Sequence, residues 1–290
     1  YMKEDGFISM PNPHQIRTQQ NTFENKLALN KRHLRSDTAH WQSLGPFQVY
    51  EGNGIQKKGE QTNIYSLARS RSNPLVLYCG TEPGELYKST DGAESWHCVS
   101  TDYAYLGNSA IAIDPINENI VYSGGGNLVN MTTDGGRTWT TIMDISGLGT
   151  NEILIHPFDA NLIYICAAKG LYQSRDGGKS WNTTFTESCY DIKVNTANPA
   201  ILYLLKKNQQ ENICEFFISQ DGGTSWKISN NGWYHSDDPN RYCEGGRIGV
   251  THADPNRVYA YLIGDSKAGD SGFIGLFRSD DGGQNWILPN

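Results

Sequence analysis

The chain has 290 residues and a formal charge of −7, from 24 Lys and Arg against 31 Asp and Glu. An acidic chain without a Lys/Arg cluster is a poor match for nucleic acid or an anionic membrane, and its apolar runs fall short of the ~18–20 residues of a membrane span. With 31 Gly, 7 Trp and 16 Tyr it is too aromatic for disorder and too glycine-rich for a helical bundle, and it suits many short strands joined by tight turns.

The first residues, Tyr1-Met2-Lys3-Glu4-Asp5, carry no apolar signal core, so a targeting segment has been removed or the chain begins inside a longer protein. Residues 12–36 are expected to be helical, because Ile16, Phe23, Leu27 and Leu34 share one helical face. Lys26, Lys31, Arg32 and Arg35 gather toward its end, where the helix dipole favours cations. Residues 1–40 are thus an N-terminal extension whose amphipathic helix is expected to pack on the remainder of the chain. Next comes Trp41-Gln42-Ser43-Leu44-Gly45-Pro46, a short strand signal.

From residue 60 a repeat dominates. An octet runs Ser89-Thr90-Asp91-Gly92-Ala93-Glu94-Ser95-Trp96. It recurs with Asp134 and Trp139, with Asp176 and Trp181, with Asp221 and Trp226, and with Asp281 and Trp286. The aspartates are spaced by about 40–45 residues, with a longer last interval, which is the period of a propeller blade. Each octet follows a Pro- or Asn-bearing turn and an apolar-Tyr pair: Leu77-Tyr78, Val121-Tyr122, Ile163-Tyr164, Leu202-Tyr203 and Val258-Tyr259. Each unit therefore reads as four strands with the octet between the third and fourth. The Asp carboxylate can accept bonds from its own turn, the glycines supply positive φ, and the Trp can wedge between sheets. Five copies at one structural position mark these aspartates as holding the turn rather than as catalytic or metal-binding.

The octets resemble the Asp-box, or BNR, repeat, and the resemblance covers residues 60–290; box one departs from it at Ala93, where Gly is usual. It implies an all-β propeller of four-stranded antiparallel blades, at about 60–101, 109–144, 151–187, 190–230 and 246–290. Residues 41–50 are expected to be a closing strand, because Trp41-x-Ser43-Leu44 is similar to Trp139-Thr140-Thr141-Ile142. A closing strand there needs partners this sequence does not contain, so the chain is expected to be part of a ring of six to eight blades, truncated at the C-terminus. Similar repeats occur in sialidases, xyloglucanases, sortilin-type receptors, a photosystem assembly factor and secreted surface proteins of Bacteroidota. The Trp-x-x-Leu-Gly-Pro entry most resembles the last group, which implies a bacterial, secreted or cell-surface protein exported with a C-terminal sorting domain, as for type IX secretion.

The boxes should lie opposite the face that carries the inter-blade loops, so a ligand is expected among those loops. On that face Asp102, Tyr103, Tyr105, Tyr190 and Asp191 are candidates, with the long segment at 228–245. That segment holds Trp233, Tyr234, His235, Asp237, Asp238, Arg241, Tyr242 and Glu244, and Trp233 is the one tryptophan outside the repeat. Aromatics beside carboxylates suit sugar rings; the plainer alternative is an insertion that packs Trp233 over a blade. Among six cysteines there is no CxxC pair, so neither a metal nor a cofactor is expected. Cys189, Cys214 and Cys243 map near the loop face, where a loop-pinning disulfide could form, whereas Cys79 and Cys98 fall on non-adjacent strands.

The leading function is a non-catalytic binding module for a glycan or protein. A glycoside hydrolase is the alternative, with Asp102, Asp144, Glu152, Asp191, Asp237, Asp238 and Glu244 as candidate acids; two carboxylates near the channel mouth, one in an apolar setting, would favour it. Sialidase activity lacks its Phe/Tyr-Arg-Ile-Pro motif, with only Gly246-Arg247-Ile248-Gly249 as an echo. The second alternative is a sortilin-like receptor gripping a peptide in the channel.

Overall fold

The computed structural model describes residues 49–50, 57–58, 63–100, 107–208, 210–211, 213–234, 243–264 and 272–289. The expected helix at 12–36 and residues 41–48 of the expected closing strand lie outside them. β1 (Val49–Tyr50) pairs with β2 (Lys57–Lys58) as a separate hairpin.

The remaining strands build five consecutive antiparallel sheets. Blade 1 is β3 (Ile64–Arg69), β4 (Leu77–Thr81), β5 (Leu86–Ser89) and β6 (His97–Cys98). Blade 2 is β7 (Ala110–Ile113), β8 (Val121–Gly125), β9 (Leu128–Thr132) and β10 (Thr140–Asp144). Blade 3 is β11 (Thr150–His156), β12 (Asp159–Ala167), β13 (Gly170–Ser174) and β14 (Asn182–Phe185). Blade 4 is β15 (Cys189–Val194), β16 (Leu202–Asn208), β17 (Ile213–Ser219) and β18 (Lys227–Ser229). Blade 5 is β19 (Cys243–Val250), β20 (Val258–Gly264) and β21 (Phe273–Ser279). Its fourth strand is reduced to one bridge between Arg278 and Ile287. The inner strands β3, β7, β11, β15 and β19 pack in that order, as in a propeller.

The boxes are turns closed by their own side chains. In the third, Asp176 Oδ1 accepts the Ser174 hydroxyl at 2.8 Å and the N–H groups of Lys179 and Ser180 at 3.0 and 2.9 Å. Its Oδ2 accepts the Ser180 hydroxyl at 2.6 Å, and Ser174 Oγ takes the Gly178 N–H at 2.8 Å. The hydroxyl of Ser180 and its equivalents, then the backbone donors, hold Asp91, Asp176 and Asp221 down to about 2.

The box tryptophans do not all act alike. Trp139 donates its indole N–H to the Val99 carbonyl of blade 1 at 2.9 Å, and Trp286 donates to the Ser229 hydroxyl of blade 4 at 3.1 Å. These two tie their box to the preceding blade, as a wedge between sheets should. Trp181 departs from that expectation in its polar contact: its N–H turns back to the Gly178 carbonyl of its own box at 3.2 Å. Its ring is only half-buried, yet it still packs against the apolar cluster shared by blades 2 and 3.

The hydrophobic core is divided into four wedges, one between each pair of neighbouring blades. Three of these joins are clamped by the tyrosine of the apolar-Tyr pair. Tyr78 donates to the Gly135 carbonyl at 3.0 Å, Tyr122 to Gly177 at 3.2 Å and Tyr164 to Gly222 at 2.7 Å, each time reaching the box of the next blade. This contact explains the second box glycine: Gly223 has φ +77°, and a Cβ there would lie 2.9 Å from the Tyr164 ring. Ala93 adopts the same left-handed conformation, φ 77°, in box one.

Two outcomes are expected. Tyr164→Phe should cost about 1 kcal/mol in denaturant melts, the worth of one buried hydrogen bond. Because the box aspartates titrate lower folded than unfolded, their contribution is complete above about pH 4 and is lost as pH falls toward about 2. The denaturation midpoint should drop across that window, and less so in the Asp176→Asn variant.

Candidate binding site on the inner strands

The inner strands are stitched to one another near their beginnings. Ser66 donates to the Asn108 carbonyl at 2.7 Å, Ser109 to that of Thr150, and Asn151 Nδ2 to that of Cys189 at 2.7 Å. Between blades 4 and 5 a carboxylate takes over. Asp191 Oδ2 accepts the Ile248 N–H at 2.7 Å, and Arg247 Nη1 donates to the Tyr190 carbonyl at 2.7 Å.

Around that carboxylate three blades bring charges together. Lys193 Nζ lies 2.7 Å from Asp191 Oδ1 and 2.8 Å from Glu152 Oε1. The two acceptor oxygens therefore stand no farther apart than those contacts placed end to end. Asp191 is fully buried, whereas the Glu152 and Lys193 side chains are 30% and 27% exposed. Burial raises the Glu152 carboxyl above the ordinary range; Lys193 opposes the rise and Asp191 adds to it. Burial pulls the Lys193 ammonium down, but Asp191 and Glu152 outweigh it and leave it raised. Arg247 and Glu244 are exposed beside this cluster. Half-buried Tyr190 is pushed up to about 12, by burial first and then by the Glu244 carboxylate.

The chemistry open to this cluster is constrained. Asp191 has one oxygen on Lys193 and the other on the Ile248 N–H, inside the protein, and so does not reach a ligand. Glu152, Lys193, Arg247 and Glu244 remain to meet solvent. Among the described residues no group of three or more His, Cys, Asp or Glu is placed to hold a metal ion.

The other candidates fall elsewhere. Asp102, Tyr103, Tyr105, His235, Asp237, Asp238, Arg241 and Tyr242 lie outside the described residues. Trp233 packs between blades 4 and 5, its ring centroid 5.4 Å from that of Phe216, 5.2 Å from Phe277 and 4.8 Å from Trp286. Its indole N–H donates to the Cys214 carbonyl at 2.7 Å, and Tyr234 packs edge-on to Phe277. Cys214 and Cys243 form a disulfide, Cα atoms 5.5 Å apart, which ties β17 to β19 across the base of the long segment. Cys79 and Cys98 both pair with Tyr87 from opposite sides, one strand apart. Asp144 ends β10 and is exposed. A cavity of about 300 Å³ lies beside box four, lined by Trp226, Ile228 and Gln284 among others, away from the inner strands. Lys193 was not legible as a site residue, but a signal existed: it pairs with Tyr203 where the other blades place Ala68, Ala112, Leu154 and Gly249.

Five Asp boxes on consecutive blades define the class: the chain is an Asp-box β-propeller. A family model for sortilin (Sortilin-Vps10, neurotensin receptor 3) matches residues 127–235. Curated proteins give no match to the sequence. Among solved structures, an ancestral GH74 enzyme is similar at TM-score 0.63 and 19% identity, over 87% of this chain and 33% of its own. The GH74 xyloglucanase from Xanthomonas campestris matches at 0.63 and 14%, over 78% and 38%. The GH74 enzyme of Niastella koreensis matches at 0.56 and 21%, over 77% and 31%. The chain thus spans about a third of the length of each, and the likeness is one of fold. Among the described residues no helix is long and apolar enough to cross a membrane.

Replacing Lys193 by Met should destabilise the protein by roughly 3–5 kcal/mol, because it strands a buried carboxylate. Adding Asp191→Asn to that variant should recover part of the loss in urea denaturation.

Proposed function

We propose that the chain is a non-catalytic binding propeller that takes a glycan or protein ligand on its inter-blade loop face, beside Glu152, Lys193 and Arg247. The observation that carries this reading is the state of the two carboxylates. They approach each other closely enough for glycosidase chemistry, yet one ammonium bridges both and Asp191 is sealed from ligand. Whether it serves as nucleophile or as base, the second carboxylate of a glycosidase must reach the substrate. Exposed Arg247 and Glu244 beside half-buried Tyr190 suit a polar ligand instead. An extracytoplasmic, secreted or cell-surface setting is supported by the Cys214–Cys243 disulfide, since such bonds persist in oxidising compartments.

A second reading, a glycoside hydrolase of xyloglucanase type, draws on one observation: Glu152 is raised by burial, as a general acid requires. Glycan-array binding together with hydrolysis assays on xyloglucan and related β-glucans separates the two. The expected result is binding without turnover, weakened roughly tenfold by Arg247→Ala through loss of a charged hydrogen bond. Turnover that disappears in Glu152→Gln would establish the hydrolase and end the binding-module reading.

A further inference from the structure

The joins between blades 1 and 2, 2 and 3, and 3 and 4 bring the same two positions face to face. One lies two residues after the repeat tyrosine: Gly80, Gly124 and Cys166. The other is the residue of the next inner strand whose carbonyl takes the stitching hydrogen bond: Asn108, Thr150 and Cys189. At the first two joins the approach leaves no room for a second side chain. A Cβ added at Gly80 would lie 2.8 Å from that of Asn108, and one at Gly124 would lie 2.9 Å from that of Thr150. A disulfide holds its own Cβ atoms about 3.5–4.5 Å apart, so a pair of cysteines at these positions needs the blades to stand only slightly farther apart.

At the join of blades 3 and 4 both positions are cysteine. Tyr164 and Cys166 alternate onto the same face of β12, and Tyr164 reaches box four, so that face is turned to blade 4. Cys166 pairs with Glu152 of β11, and the adjacent Asn151 donates to the Cys189 carbonyl at 2.7 Å. Both cysteines are fully buried, in one apolar cluster with Ile192 and Leu204. Both are thiols in the structure, and Cys189 Sγ donates to the Glu187 carbonyl at 3.4 Å. Burial pushes the Cys166 thiol up; its hydrogen bond to the Cys189 thiol and the Asp191 and Glu152 carboxylates add to the rise.

We infer that Cys166 and Cys189 are a disulfide-forming pair, a second staple that ties blade 3 to blade 4 under the oxidising conditions that make the Cys214–Cys243 bridge. The oxidant is an external disulfide, either a small molecule or the active site of a thiol oxidoreductase. One cysteine thiolate attacks it, forming a mixed disulfide and releasing one thiolate; the second cysteine then displaces the other. The external S–S bond breaks, the Cys166–Cys189 bond forms, and the two cysteine protons end on the two released thiols. The exchange takes place before the join closes, because the closed join shuts out the oxidant and keeps Cys166 protonated, whereas the thiolate is the form that attacks. Once made, the bridge lies beside Glu152 and holds β12 to β15 next to the charged cluster. It is independent of which ligand that cluster meets.

Thiol counting on the full chain tests this. The chain is refolded in mixed reduced and oxidised glutathione until Cys214–Cys243 has formed, then denatured in N-ethylmaleimide without reductant. Two labels per chain are expected, on Cys79 and Cys98, with Cys166 and Cys189 recovered as one linked peptide by proteolytic mass mapping. Four labels beside an intact Cys214–Cys243 bridge overturn the inference, as does a link from Cys166 or Cys189 to any other cysteine. A variant with Cys214→Ala and Cys243→Ala isolates the pair. It should still take up only two labels, and dithiothreitol should lower its urea midpoint, because a bridge stabilises by restricting the unfolded chain. Adding Cys166→Ala and Cys189→Ala should abolish that response. A midpoint indifferent to dithiothreitol in the first variant overturns the inference, as does a response that survives in the second.

Discussion

The structure depends on one hydrogen bond made repeatedly: the hydroxyl of a second-strand tyrosine reaching the glycine carbonyl of the next blade's Asp box. A four-stranded sheet of short strands cannot bury its own faces, so each blade is stable only against a neighbour. The tyrosine fixes how that neighbour stands, because its ring fills the wedge while its hydroxyl reaches a turn that cannot move. The turn is immobile because Asp, Ser or Thr, and the glycines close it internally. The octet and the apolar-Tyr pair, separate in sequence, are thus two ends of one contact.

At the inner strands the same demand for stitching is met by polar groups, and there the structure becomes particular. Ser66, Ser109 and Asn151 make neutral links, whereas the join between blades 4 and 5 uses a buried carboxylate. That carboxylate requires a cation, Lys193 supplies it, and Lys193 in turn gathers Glu152. A charged cluster arises from the packing of three blades and leaves Glu152 and Arg247 facing solvent. Its arrangement satisfies the fold first.

The sequence was informative wherever a residue's role repeats. Period, turn chemistry and tyrosine placement specify the blades, and the box aspartates behave as turn-holding groups. The non-adjacent placement of Cys79 and Cys98 follows from strand order alone. Even within the repeat, the partner of an indole N–H is set by the neighbouring blade, so Trp139 and Trp181 share a sequence position but not a contact. The unrepeated residues were harder to place. Trp233 could be an exposed platform or interior filling, and only the positions of Phe216, Phe277 and Trp286 show that its ring lies among other rings. Lys193 looks like an ordinary strand lysine until Asp191 and Glu152, from two different blades, are brought beside it. Such a cluster is invisible to periodicity because its members share no spacing.

The covalent link between Cys214 and Cys243 is confined to one of the four blade joins. The others rest on tyrosine clamps and apolar wedges. Under a pulling force, or during passage through a narrow pore, blades 1 to 3 can be peeled away singly, whereas blades 4 and 5 must move as a pair until the bridge is reduced. Within the five described blades resistance to pulling is therefore uneven: they are stapled at the Asp191 join and, while Cys166 and Cys189 are thiols, held by tyrosine clamps and apolar wedges alone at the joins before it.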